Sequence, residues 1–149
     1  MNLEEKIMEG IKQAMKSHDK VVLESLRAVK SAILLEKTSV AKGELDQAAE
    51  MKLLQKLVKQ RKESAEIYTQ QNRADLAEAE LAQAAVIEAY LPKQLSAEEL
   101  EAEVAAIIAQ TGANSPAEMG KVMGVASKTL AGKADGRAIA ETVKRLLAR

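Results

Sequence analysis

Tyr90-Leu91-Pro92-Lys93-Gln94-Leu95-Ser96-Ala97-Glu98-Glu99 is where the chain divides. Proline disfavours helical geometry at the residue before it, so a helix arriving from the N-terminal side stops by Leu91. Ser96 and Glu99 then stand at the spacing of a capping box. The serine hydroxyl accepts from the Glu99 backbone, and the Glu99 carboxylate reaches back to the Ser96 N–H. One helix ends, another begins, and Pro92–Leu95 lies between. This predicts an N-terminal antiparallel helical domain over residues 1–91, a linker over 92–95 and a small C-terminal helical bundle over 96–149.

Upstream, apolar residues recur at helical spacing. Leu3, Ile7, Met8, Ile11 and Met15 mark a first helix over about Leu3–Lys16. Asp19 is placed to cap a second, which carries Val22, Leu23, Leu26, Val29, Ile33 and Leu34 to about Lys37. Thr38–Leu45, with Gly43, reads as a loop. Asp46 caps a long helix over about Gln47–Gln70, faced by Met51, Leu54, Leu57, Val58, Ala65 and Tyr68. A fourth starts at Asn72 or Asp75 with Leu76, Leu81, Ala85 and Ala89 on its apolar face.

Downstream, Leu100, Val104, Ile107 and Ile108 line a helix that Gly112 ends. Ser115-Pro116-Ala117-Glu118 is a second capping box, with proline at the first helical position. Met119, Val122 and Met123 belong to the helix that follows, to about Leu130. Gly132-Lys133-Ala134-Asp135-Gly136 is a turn, capped by Asp135. A last helix buries Ile139, Ala140, Val143, Leu146 and Leu147. Val21-Val22-Leu23 and Ala105–Ala109 are apolar enough for short strands, but their flanks are helical. The fold class is all-α, with seven helices.

Composition narrows the function. Hydrophobic residues are 47% of the chain and charged residues 30%. No Trp, Phe or Cys occurs, and Tyr68 and Tyr90 are the only aromatics. The core is therefore aliphatic, and disulfides and thiolate metal sites are excluded. No apolar run approaches the roughly 18 residues of a membrane span. Met1-Asn2-Leu3-Glu4-Glu5-Lys6 lacks the basic start and apolar run of a signal peptide, so a cytoplasmic protein is expected.

Formal net charge is +0, but charge is unevenly distributed. Residues 75–103 set Asp75, Glu78, Glu80, Glu88, Glu98, Glu99, Glu101 and Glu103 against Lys93 alone. Residues 119–149 set Lys121, Lys128, Lys133, Arg137, Lys144, Arg145 and Arg149 against Asp135 and Glu141. A second basic stretch, Lys52 to Lys62, contains no acid. Local charge, not net charge, predicts a polarised surface.

Catalytic patterns are sparse. His18 is the single histidine, and its neighbours Ser17 and Asp19 are adjacent in sequence, whereas a triad needs convergence in space. Glu78, Glu80 and Glu88 lack the Glu-x-x-His pairing of di-iron bundles. Gly132-Lys133-Ala134 lacks the Ser/Thr of a phosphate-binding P-loop. No metal or other cofactor is expected.

What remains is Met119–Gly136, with four glycines and three lysines. Gly120 and Gly124, one turn apart, let another backbone approach, either a packed helix or an RNA strand. Lys121, Lys128 and Lys133 supply charges suited to phosphate. Backbone N–H groups at the start of the last helix, beside Arg137, favour anions. Few aromatics leave little for stacking on unpaired bases, so an RNA ligand would be read by shape and backbone.

Met119-Gly120-Lys121-Val122-Met123-Gly124 and Gly132-Lys133-Ala134-Asp135-Gly136 resemble the signature of the YqeY-like family. Leu26-Arg27, Lys59-Gln60-Arg61-Lys62-Glu63-Ser64, Arg73-Ala74-Asp75-Leu76-Ala77 and Tyr90–Ser96 extend the resemblance over nearly the whole chain. From about Leu91 onward the chain is also similar to the tail domain of the aspartyl/glutamyl-tRNA amidotransferase B subunit. The resemblance implies two helical domains and a connection with tRNA through Gly120, Lys121, Gly124, Gly132, Lys133 and Gly136. Local charge adds Lys128, Arg137 and Lys144.

The expected function is that of a tRNA-binding or tRNA-associated accessory protein without catalysis of its own. A protein–protein adaptor, for a partner in the translation machinery, is the first alternative. A component of a glutamine-dependent tRNA amidotransferase, a carbon–nitrogen ligase, is the second. The chain is too short to hold that enzyme's catalytic core.

Overall fold

A computed structural model describes residues 1–40 and 43–149. Residues 41 and 42, inside the expected Thr38–Leu45 loop, lie outside the described residues. Among the described residues the fold is all-helical. The helices are α1 (Leu3–Ser17), α2 (Lys20–Ser39), α3 (Gln47–Gln70), α4 (Ala74–Glu88), α5 (Ala97–Thr111), α6 (Met119–Thr129) and α7 (Gly136–Leu147). A 3-10 turn, Pro116–Glu118, leads into α6. The apolar runs Val21–Leu23 and Ala105–Ala109 are helical, inside α2 and α5. None of these helices is long and apolar enough to cross a membrane.

The chain forms two compact units, Met1–Leu91 and Pro92–Arg149. In the first, α1 and α2 form an antiparallel hairpin, clasped by Lys37 Nζ and Glu4 Oε2 at 2.8 Å. That bond holds the Lys37 pKa above its ordinary value. α3 and α4 form a second hairpin, joined through Asn72 in the left-handed region (φ +59°). The core gathers Ile7, Leu26, Val29, Ile33, Leu54, Val58 and Ile87.

Helix ends follow local chemistry. Asn2 caps α1 and shares a capping box with Glu5, while His18 ends it with φ +55°. Asp19 and Asp46 accept from Val22 and Ala49 and start α2 and α3. α2 runs two residues past Lys37. The Thr38 and Ser39 hydroxyls donate to the Leu35 and Glu36 carbonyls and carry that last turn. α4 stops at Glu88, three residues before the limit set by Pro92.

Three faces differ from the periodic reading, the first being α2, where Leu34 is 46% exposed. In α1, Leu3, Ile7 and Ala14 are buried, while Met8 and Met15 are 44% and 55% exposed. In α4, Ala77, Ala84 and Ile87 are buried, and Leu81 is 49% exposed. Small residues decide the α1 and α4 cases. Gly10 lets Leu26 and Tyr90 come close to α1, and α4 buries Ala77 and Ala84.

The second unit packs α5, α6 and α7 against one another. Leu100, Val104, Ile107, Val122, Ala126, Leu130, Ile139, Val143 and Leu147 form its core. Ser96 and Glu99 make the expected capping box, and Gly112 ends α5 with φ +73°. Glu118 Oε2 accepts from Asn114 N at 2.6 Å and Ser115 N at 3.2 Å.

Candidate nucleic-acid interface

α6 has two distinct sides, as 3.6 residues per turn requires. Val122 and Ala126 are buried against α5 and α7. Gly120, Lys121, Gly124 and Lys128 share the opposite arc and are exposed. A Cβ built on Gly120 or Gly124 meets no heavy atom within 4 Å. Neither glycine makes room for another helix among the described residues. They bare the α6 backbone toward the outside, with a lysine on either side of Gly124.

The turn after α6 is tied down. Gly132 adopts φ +77° and is buried. Gln94 Nε2 donates to the Gly132 carbonyl at 2.6 Å and to the Pro92 carbonyl at 2.9 Å. The Leu95 N–H donates to the Lys133 carbonyl at 2.9 Å. Residues 92–95, read from sequence as a linker, therefore belong to the second unit and brace the α6–α7 turn. Gly132 is buried and shapes that turn from within. Lys133 is pinned through its backbone and keeps its side chain exposed.

Lys93 joins this end of the unit, and the sequence reading missed it. It lies one residue before Gln94 and is exposed. The Glu99 carboxylate has a lowered pKa because the Ser96 backbone and hydroxyl hold it, with the Lys93 charge contributing. The signal available in sequence was Pro92-Lys93-Gln94-Leu95, read there as a boundary and as part of the family resemblance.

The start of α7 is capped by Asp135, as expected. Asp135 Oδ1 accepts from the Arg137 backbone N–H at 3.3 Å. That carboxylate satisfies one of the N–H groups at the helix terminus. Gly136 is exposed, with open space where a Cβ would stand.

The basic residues fall into two groups. Arg137 pairs with Glu141 at 3.2 Å, and Arg145 and Arg149 both reach Glu101, at 3.4 and 3.5 Å. Among the described residues, Lys121, Lys128, Lys133 and Lys144 form no ion pair. The guanidinium groups are engaged inside the unit, and four ammonium groups face outward unneutralised. Lys121 and Lys128 stand about 10 Å apart along α6 at 1.5 Å per residue. Lys144 lies on the outer face of α7, two turns from Arg137.

His18 is exposed in the α1–α2 turn. Among the described residues no group of three His, Cys, Asp or Glu side chains is placed to hold a metal ion.

A comparison with curated proteins finds no match. A family model described as "Yqey-like protein" matches residues 4–147. That span covers both helical units, and the chain belongs to the YqeY-like family.

Proposed function

We propose that this protein binds tRNA through the phosphate backbone, using the second unit, and does so without catalysing a reaction of its own. The observation that carries the reading is the outer face of α6. Gly120 and Gly124 expose bare helix backbone, and the unpaired Lys121 and Lys128 flank it. A polyanion gains most from cations that have no partner already. A rounded RNA backbone also fits where no side chain projects. Lys133 and Lys93 extend the positive surface to the braced turn. The resemblance of the sequence from about Leu91 onward to the amidotransferase tail domain supports tRNA as the RNA.

Phosphate-driven binding weakens steeply with salt, because each neutralised phosphate releases condensed counterions. The test is fluorescence anisotropy of labelled bulk tRNA with the full chain across a salt series. Binding at low salt that falls with salt, and falls further in Lys121→Glu/Lys133→Glu, supports the reading. Absence of binding at low salt sinks it.

A second reading, a protein–protein adaptor, draws on the first unit. Met8, Met15, Leu34 and Leu35 are exposed on α1 and α2. Recovery of a protein partner after nuclease treatment, undiminished by loss of RNA, would favour it.

A further inference from the structure

The acid-free stretch Lys52–Lys62 resolves into three kinds of cation. Arg61 turns inward, donating through Nε to Gln83 Oε1 and through Nη1 to the Leu57 carbonyl, both at 3.2 Å. Lys62 pairs with Glu88 at 3.3 Å. Lys52, Lys56 and Lys59 do neither. They share one face of α3 by their four- and three-residue spacing, and they are the only exposed residues between 52 and 59. Among the described residues none of the three forms an ion pair.

We infer that this ridge is a second phosphate-contact surface, on the first unit, for a nucleic-acid backbone. The lysines stand about 6 Å and about 4.5 Å apart along the helix axis. α3 is the longest helix of the chain and packs on α4 and α2, so the three charges ride on a fixed rod. An acidic protein surface is the competing occupant. Protein interfaces centre on apolar residues and are depleted in lysine. This ridge has no exposed apolar side chain among its charges. Phosphate contact needs none, because counterion release supplies the free energy. Glu63 and Glu66, on the same face, mark where the ridge ends.

The inference rests on RNA as the ligand and extends the contact from the second unit to the first. The test uses the full chain, bulk tRNA as probe and salt from about 50 to 200 mM, the range over which phosphate contacts are counted. Lys52→Gln/Lys56→Gln/Lys59→Gln removes the ridge, and Lys121→Gln/Lys128→Gln removes the α6 face. All five side chains are exposed, and thermal melting checks that each variant folds. The ridge variant is expected to flatten the slope of log affinity against log salt by about 2 to 3, at 0.7–0.9 per phosphate. Its effect should add to that of the α6 variant. A ridge variant with wild-type slope and affinity, beside a weakened α6 variant, overturns this inference and leaves the function standing. A weakened ridge variant beside an unaffected α6 variant supports the ridge and overturns the α6 assignment. No binding by the wild type overturns both.

Discussion

Gln94 Nε2 donates to the carbonyl of Gly132 across 38 residues of sequence, at 2.6 Å. The same amide donates to the Pro92 carbonyl at 2.9 Å. One side chain thereby joins the start of the second unit to the turn that carries Lys133. Two sequence motifs that look independent, one around Pro92 and one around Gly132, are two halves of one brace.

Gln94→Ala removes the donor and leaves the Gly132 carbonyl, in a buried residue, without it. Such a loss costs about 1–3 kcal/mol. Gly132→Ala attacks the same brace differently. At φ +77° a side chain adds about 1–2 kcal/mol of left-handed strain. Both variants should lower the thermal midpoint. Gln94→Glu, which keeps the shape and places an acceptor against a carbonyl, should be no better than Gln94→Ala. A wild-type midpoint in Gln94→Ala would show that the brace contributes nothing.

Gly10 faces Tyr90 and Leu26. A Cβ there would collide with the Tyr90 hydroxyl and approach Leu26 Cδ1 to 2.7 Å, and Leu26 is fully buried. Alanine in a helix interior is favoured over glycine by about 0.5–1 kcal/mol. Overpacking a core costs about 1–3 kcal/mol. The clash is the larger effect, so Gly10→Ala should destabilise in chemical denaturation. Adding Tyr90→Phe removes one of the two colliding groups and should restore part of the loss.

These positions show what sequence reading reaches. Caps are local: Asp19, Asp46, Ser96 with Glu99, and Gly112 act through residues within a turn, and each is legible from spacing. Helix faces in Ala-rich segments are not. α4 has alanine on every side, so periodicity selects no face, and the fit of small residues inside the bundle selects Ala77 and Ala84. In α1 large methionines suggest a core stripe, but the close approach happens at Gly10. At the candidate site the residue types were legible and their partners were not. Spacing shows that Lys121 and Lys128 are basic neighbours on α6. Only the fold shows that Arg145 and Arg149 meet Glu101, leaving the lysines as the free charges.

Tyr90 gives a pH signature. Burial pushes its hydroxyl above the ordinary value of 10.0. The folded state thus holds its proton more tightly than the unfolded chain does. That contribution is fully present below pH 10.0 and is lost as pH rises through the higher folded value. Denaturation at pH 8 and pH 11 should show a smaller alkaline loss in Tyr90→Phe than in the wild type. With no Trp in the chain, tyrosinate absorbance reports on Tyr68 and Tyr90 alone, and Tyr90→Phe should remove a late-titrating component.

Gly124 separates stability from binding. It lies inside α6, exposed, with nothing within 4 Å of a built Cβ. Gly124→Ala should therefore stabilise the fold by about 0.5–1 kcal/mol, the opposite sign from Gly10→Ala. Gly124→Leu is also compatible with the helix, and its side chain would stand in the space between Lys121 and Lys128. If an RNA backbone lies against that face, the leucine variant should keep or raise the thermal midpoint while weakening tRNA binding. Both lysines remain present and unchanged in charge, so electrostatics cannot account for the loss. A helix that bares its backbone to solvent sacrifices stability that alanine would supply. Such a sacrifice makes physical sense where something must come close. Unchanged tRNA affinity in Gly124→Leu, with the expected gain in midpoint, would remove the glycine face from the interface and leave the lysines to act as dispersed charges.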